Sequence, residues 1–173
     1  MTLAYAVRAL ATLWSGLMAG FFFAFSIVVM PALETMPPDR AMAAMQAINA
    51  AVRTPFFGIA FFGAVLLCAA TLALSVWGRG RSFLGTGAAV VYLAGAFATT
   101  VAFNVPLNNE LAALDPTVPE QAALMTGYIV DWTGWNHVRT LAAMAACVLL
   151  LASLITSRAR ANDDYHRMAA GTA

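Results

Sequence analysis

The chain has 173 residues, of which 62% are hydrophobic and 10% are charged, and its net charge at pH 7 is +1. Soluble domains are about 45–50% apolar and about 25% charged. A chain of this length has too much surface to bury such an excess of apolar side chains. The composition therefore excludes an ordinary soluble globule and a disordered chain. The small net charge also excludes nucleic acid as a partner, because a polyanion requires a basic surface.

Four long segments carry no charged residue, and each is long enough to cross a bilayer, which takes about 20 apolar residues. They comprise residues 9–33, 54–78, 82–109 and 140–157. Because backbone polar groups inside lipid must pair within the chain, each segment predicts a helix. We therefore expect an all-α membrane protein in which a four-transmembrane-helix bundle (residues 1–160) precedes a polar tail (161–173). The spans are expected at about 9–31, 55–78, 83–104 and 136–157.

The arginines are divided unequally between the two ends of these helices. If the helices alternate in direction, one side carries Arg8, Arg79, Arg81, Arg158, Arg160 and Arg167. The other side carries Arg40, Arg53 and Arg139, together with six of the eight acidic residues. The positive-inside rule then predicts cytoplasmic termini for a protein of the plasma membrane. The two long connections, residues 31–54 and 104–135, are expected outside and should carry short helices.

The chain also has the outline of two repeated helical hairpins. Val52-Arg53-Thr54 opens the second span, and Val138-Arg139-Thr140 opens the fourth. Two copies in the same orientation would form a site at the interface between the repeats. A tripeptide also recurs by chance in a chain rich in Ala, Val and Thr, so both explanations stay open. In the first span, Gly16-x-x-x-Gly20 permits close helix approach and hence a homo-oligomer.

The first outer connection carries a predicted amphipathic helix from about Arg40 to Val52. Its polar residues Gln46, Asn49 and Arg53 form one stripe, because they are spaced i, i+3 and i+7. One interpretation is an interfacial helix whose polar stripe faces water. The other turns the stripe inward over the mouth of the bundle. Amides in place of Glu and Lys favour the inward interpretation.

The densest polar cluster precedes the fourth span, in Asp131-Trp132-Thr133-Gly134-Trp135-Asn136-His137-Val138-Arg139-Thr140. The simplest interpretation is an aromatic belt, a helix cap at Asn136 and a snorkelling Arg139. It explains Arg139 poorly, because a cation at the start of a helix meets the positive end of the helix dipole. Ionisable groups at such a depth are usually functional. The candidate partners of Arg139 are Glu34, Glu110 and Asp131.

Other kinds of site lack their usual residues. His137 and His166 are the only histidines, and no His-x-x-x-His or Cys-x-x-Cys pattern occurs, so we expect no dedicated metal site. The two histidines are also not placed to bind haem between helices. No serine lies beside the outer connections, so a Ser–His–Asp site is not expected. What remains is an imidazole, cations, carboxylates, amides and two indoles around a lipid-facing pocket.

Four short motifs, taken in order, resemble the anthrone oxygenase-like family of small bacterial and fungal membrane proteins, also described as a domain of unknown function. They are Met30-Pro31-Ala32-Leu33, Met45-Gln46-x-Ile48-Asn49, Asn104-Val105-Pro106-Leu107-Asn108 and Trp132-x-x-Trp135-Asn136-His137-x-Arg139. The resemblance runs from about Leu10 to Leu150. It implies oxidation of an anthrone to an anthraquinone by O₂ without flavin or haem. The lipophilic aromatic substrate would arrive through the bilayer.

The chemistry of that reaction suggests roles for several polar and aromatic residues of this region. It requires a general base, a group that stabilises an oxyanion, and a flat apolar slot. The expected catalytic residues are His137 as the base and Arg139 and Asn136, which together with Asn108 would stabilise the oxyanion. The expected substrate-binding residues are Trp132 and Trp135, which would stack on the rings, together with Asn108, Gln46 and Asn49.

Two further functions stay open at this point. The first is a non-catalytic binder of small molecules or a transporter subunit that uses the same mouth. The second is a structural bundle in which arginine and tryptophan only anchor the helices. Charge is almost absent within the spans, which argues against an ion-coupled transporter. A polar cluster confined to one end argues against a purely structural bundle. We therefore favour the membrane oxidoreductase.

Overall fold

The computed structural model describes residues 2–77 and 82–170, except for the side chains of residues 160–166, 169 and 170. All regular structure in this part of the chain is helical. The helices are α1 (Leu3–Glu34), α2 (Pro38–Ala51), α3 (Pro55–Val76), α4 (Phe83–Ala112), α5 (Pro119–Ala122) and α6 (Met125–Ala170). Four of them, α1, α3, α4 and α6, are long and apolar enough to cross a membrane. The predicted four-helix membrane bundle is confirmed.

The helices begin where local chemistry favours a start. Thr2, Thr54 and Ser82 precede α1, α3 and α4, and each side-chain oxygen accepts a hydrogen bond from the backbone N–H three residues later. Such caps satisfy N–H groups that have no partner within the helix. Proline occupies the first turn of α2, α3 and α5. Its missing N–H is not needed there. The spans therefore start at defined residues.

The bundle is built around α6, which packs against α1 and α4, while α3 closes it by contacting α1 and α4. Small side chains allow the helices to approach closely, as is common in membrane bundles. At Gly95 in α4, an added Cβ would lie 2.5 Å from the Cβ of Ala142 in α6. The fully buried alanines of this core are Ala64, Ala89, Ala96, Ala143 and Ala146.

Two of the spans contain π-helical turns. In α1 the π-helical segment is Phe25–Val29, and in α4 such segments cover Tyr92–Ala98 and Thr100–Asn104. A π turn changes the direction in which side chains leave the helix and is frequent at functional sites. Ser26 and Thr100, each in one of these segments, form hydrogen bonds to side chains of α6. These turns therefore lie where polar groups meet in the interior.

We call the end of the bundle that carries α2 and α5 the loop end. The apolar face of α2 packs there onto α1, α4 and α6. Two residues of its polar stripe also face inward: Asn49 is buried, and Nε2 of Gln46 donates to the carbonyl oxygens of Leu111 and Leu114, each at 2.9 Å. The inward interpretation therefore applies to these two residues, whereas Arg53, the third member of the stripe, is exposed. The buried apolar cluster around α2 includes Leu33, Ala41, Met42, Met45, Leu111 and Met125.

The last helix differs from expectation. A span beginning near residue 136 was predicted, but α6 begins at Met125 and continues through the polar cluster to Ala170. Asn136 is therefore inside the helix and is not its cap. Arg139 lies several turns from the N-terminus, so the positive end of the helix dipole does not act on it. Residues 78–81, which include Arg79 and Arg81, and residues 171–173 of the expected tail lie outside the described residues.

Candidate functional site

A cavity of about 400 Å³ lies at the loop end, between α1, α2, α3, α4 and α6. We call it the loop-end cavity. Its volume falls within the range of small-molecule sites, about 300–1,000 Å³. Its wall carries seven aromatic side chains: Phe21, Phe22, Phe25, Phe57, Phe61, Phe62 and Trp132. Because aromatic rings prefer offset or edge contacts with other rings, this wall favours a flat aromatic occupant.

Polar side chains interrupt this aromatic wall. They are Asn49, Arg53, Thr54, Thr100, Asn108 and Arg139. Two of them are cations, and no lining side chain in the described part of the chain is a carboxylate. The loop-end cavity therefore combines an apolar aromatic surface with uncompensated positive charge.

Arg139 is the deepest of these groups, with 5% of its surface exposed. Its Nη2 donates to Oδ1 of Asn136 at 2.7 Å and its Nη1 to Oγ1 of Thr100 at 3.4 Å, while Nε has no hydrogen-bond partner. The guanidinium carbon lies 4.6 Å from the ring centre of Phe22 and 4.9 Å from that of Trp132. Cation–π contact of this kind stabilises the charge without neutralising it.

The expected ion pair of Arg139 is not formed. Its hydrogen bonds go to an amide and a hydroxyl. Glu34, Glu110 and Asp131, the candidate partners, are all exposed, and within the described residues none pairs with it. A charge removed from water is costly unless it is paired, so buried charges are normally paired. The unpaired guanidinium thus makes this part of the cavity suited to a negatively charged group.

Asn136 connects Arg139 to α1. It is fully buried, and its Nδ2 donates at 2.8 Å both to the carbonyl oxygen of Phe22 and to Oγ of Ser26. With its Oδ1 on Arg139, the amide holds the guanidinium in one position. Ser26 Oγ also lies 3.0 Å from Nδ1 of His137. The expectation that no serine lies near this cluster was wrong, because Ser26 reaches it from within a span.

His137 lies outside the loop-end cavity. It is exposed and is not one of the residues that line the wall. It reaches Arg139 only through Ser26 and Asn136. A general base must come within hydrogen-bond distance of the proton that it removes. The geometry therefore favours a positioning role for His137.

Asn108 fixes the orientation of the Trp132 indole. Its Oδ1 accepts hydrogen bonds from Nε1 of Trp132 and from Oη of Tyr128, both at 2.8 Å. The indole ring lies 5.5 Å from the ring of Phe25, and the Trp132 carbonyl accepts a hydrogen bond from Asn104. Tyr128 was missed in the sequence. Its position one turn before Trp132 is the signal that would have found it.

The remaining expected site residues have different surroundings. Trp135 stacks on Phe103, with ring centres 3.6 Å apart, and it does not line the cavity. Gln46 joins α2 to the end of α4 and also lies outside the wall. Of the eight predicted residues, four line the loop-end cavity: Arg139, Trp132, Asn108 and Asn49. Asn136 supports the cavity from behind.

Side chains that usually bind metals are dispersed. Among the described residues there is no group of three His, Cys, Asp or Glu side chains placed to hold a metal ion. Cys68 and Cys147 are both free thiols.

The four apolar helices define an integral membrane protein with an aromatic-lined cavity at one end of its bundle. A family model described as anthrone oxygenase matches residues 52–149, more than half of the chain. The chain therefore belongs to the anthrone oxygenase family, as its motifs predicted. No curated protein and no solved structure matches it.

Proposed function

We propose that the protein oxidises a lipophilic ketone of the anthrone type with O₂ in the loop-end cavity. The main observation in support is the buried guanidinium of Arg139. It faces an aromatic cavity and has no carboxylate partner within the described residues. Family membership supports the choice of substrate. The aromatic wall would hold the tricyclic ring system, and Arg139 would bind its oxygen.

Anthrone has an acidic methylene group, because the anion left by its deprotonation is aromatic. Loss of one methylene proton puts negative charge on the ketone oxygen and on the methylene carbon. Two electrons then pass from this carbon to O₂, a C–O bond forms, and uptake of a proton gives a hydroperoxide. Loss of the second methylene proton with cleavage of the O–O bond releases water. The balance is anthrone + O₂ → anthraquinone + H₂O.

In this proposal, Arg139 stabilises the oxyanion that develops when the proton leaves. A positioned donor in a water-poor site stabilises such charge strongly, because it needs no reorganisation during the reaction. Asn136 and Thr100 hold the guanidinium in place before substrate binds. Its Nε–H group is buried and has no hydrogen-bond partner among the described residues. The same interaction lowers the pKa of the bound methylene group.

We propose a proton acceptor other than His137, the one expected from the sequence. Within the described residues, no imidazole or carboxylate lines the cavity. We therefore propose that the proton leaves to water at the mouth, beside the exposed residues Arg53 and Thr54. His137 would act through Ser26 by holding Asn136, and hence Arg139, in position.

The test is O₂ uptake by the protein in lipid vesicles supplied with anthrone, with anthraquinone formation followed in parallel. We expect uptake well above that of protein-free vesicles and a loss of about 100-fold in Arg139→Gln. Arg8→Gln is the matched control, because Arg8 is equally buried (6% exposed) but lies at the other end of the bundle, bonded to Ser157. Wild-type uptake no faster than that of empty vesicles would overturn the proposal.

A non-catalytic binder of lipophilic small molecules is the second candidate function. The observation that favours it is the absence of a base from the described cavity wall. It predicts that anthraquinone binds to the wild-type protein, that Arg139→Gln weakens this binding, and that anthrone causes no O₂ uptake. The same vesicles therefore distinguish the two functions.

We also propose that the loop end faces the outside of the plasma membrane. The support is the excess of arginine at the end of the termini. A cysteine introduced at Glu120, which is exposed in α5, should react with an impermeant reagent added to intact cells. Reaction only after the cells are opened would invert the orientation.

A further inference from the structure

The loop-end cavity contains a second cation, Arg53, which the oxidation of a simple anthrone does not use. Arg53 lies between α2 and α3 and lines the cavity at its exposed side. The two matching tripeptides of the sequence, at residues 52–54 and 138–140, thus each contribute an arginine to one cavity. One guanidinium is deep and the other is at the mouth.

Local structure holds Arg53 in place. Its Nε donates to the carbonyl oxygen of Asn49 at 3.2 Å, which ties the side chain to the last turn of α2. Its backbone N–H donates to the carbonyl oxygen of Ala50. The next residue, Thr54, caps α3 and also lines the cavity. The structure records no hydrogen bond from either terminal guanidinium nitrogen to another described residue, so both are available to a ligand.

The surroundings of the mouth favour an anion. None of the six acidic residues with described side chains lines the cavity. The first turn of α3 lies beside Arg53, and the N-terminal end of a helix is the positive end of its dipole. Arg139, buried and with a free Nε, adds positive charge from below. Two guanidinium groups thus face one cavity without a protein carboxylate.

We propose that the cavity selects aromatic ligands that carry an ionised carboxylate, with this group bound by Arg53 at the mouth and the ring system held between Arg53 and Arg139. A planar guanidinium binds a carboxylate through two parallel hydrogen bonds. An aromatic acid can therefore place its rings against the phenylalanines and its charge beside water. The inference deepens the proposed function by naming a substrate class, and it requires binding only.

The experiment uses two fluorescent probes of nearly identical shape, anthracene-2-carboxylate and anthracene-2-carboxamide. Binding to the full chain in phosphatidylcholine nanodiscs is measured at neutral pH by energy transfer from tryptophan, with empty nanodiscs as the blank for partition into lipid. We expect the wild-type protein to bind the carboxylate about tenfold more tightly than the amide, as one charge-assisted hydrogen-bonded pair would give. Equal affinities, or no binding of either probe, would overturn the inference.

Variants test whether Arg53 is responsible for the preference for the carboxylate over the carboxamide. Arg53→Gln should lose the tenfold preference while its affinity for the carboxamide stays within about twofold, which also shows that the variant is folded. Arg53→Lys should keep part of the preference, because it keeps the charge but not the bidentate geometry. Arg40→Gln removes a charge from an exposed site on α2 that does not line the cavity, and it should change neither affinity. An unchanged preference in Arg53→Gln contradicts the assignment.

The two proposals can fail independently. If the carboxylate preference depends on Arg53 but anthrone causes no O₂ uptake, the ligand class stands and the oxidation is wrong. If anthrone is oxidised and the wild-type protein does not prefer the carboxylate, the oxidation stands and the ligand class is wrong.

Discussion

Oγ of Ser26 in α1 and Nδ1 of His137 in α6 lie 3.0 Å apart. The contact joins an exposed imidazole to a buried network that ends at the Arg139 guanidinium. Ser26 also lies 3.2 Å from Oγ1 of Thr140, one turn after Asn136. The serine thus connects the π-helical part of α1 to the polar face of α6, and it links His137 to the hydrogen bonds that hold Arg139.

This relationship gives the first prediction. If His137 only positions the network, His137→Ala should lower the rate of O₂ uptake about tenfold or less, and Ser26→Ala should have a similar effect. Loss of a general base would cost about 10²–10⁴-fold. The measurement is the rate as a function of pH in both variants. A loss above about 100-fold in His137→Ala alone, with the pH dependence abolished, would restore His137 as the base.

Gly58 in α3 gives a prediction about the size of the ligand. It lines the cavity, and a Cβ built there meets no atom within 4 Å. Gly58→Leu should therefore fill open space and weaken the binding of anthracene-2-carboxamide about tenfold or more, while the melting temperature falls little. Gly127→Leu is the control, because Gly127 also has open space but does not line the cavity. Equal binding in the two variants would mean that the occupant lies elsewhere.

Asn108 gives a prediction about stability. Replacement by leucine, which is similar in size, removes the acceptor for the Tyr128 hydroxyl and the Trp132 indole. Each donor left without a partner costs about 1–3 kcal/mol. Asn108→Leu should therefore lower the unfolding temperature in detergent and change the tryptophan emission. Asn109→Leu, at the exposed neighbouring position, should do neither. A variant as stable as the wild type would show that this acceptor is dispensable.

The sequence predicted those site residues that are unusual for a membrane helix. An arginine and an asparagine in an apolar helix are costly, so the position of Arg139 and Asn136 at the start of the fourth expected span marked them as candidates. Trp132 shares their face through its i, i+4 spacing. Helical spacing also predicts the direction in which the His137 side chain points. At about 100° per residue, His137 lies about 200° around the helix from Arg139 and points away from the cavity.

The residues that the sequence did not reveal are ordinary in such helices. Serine and threonine are common in membrane spans because they can bond to the carbonyl oxygen one turn earlier, as Thr100 does with Ala96. Nothing in their identity marks Ser26 or Thr100 as part of a site. Both also lie in π-helical turns, where a pattern of 3.6 residues per turn no longer gives the facing direction. The contacts of Ser26 and Thr100 could be identified only from the structure.

The contact between Gly95 and Ala142 shows how closely α4 and α6 pack. It brings the two helices together without room for one further methyl group. By contrast, α3 has 22% of its span buried, against 33–39% for the other three spans. Gly58 and the 55% exposed Phe62 lie on this less buried helix. We therefore expect a flat molecule dissolved in the bilayer to enter the loop-end cavity beside α3.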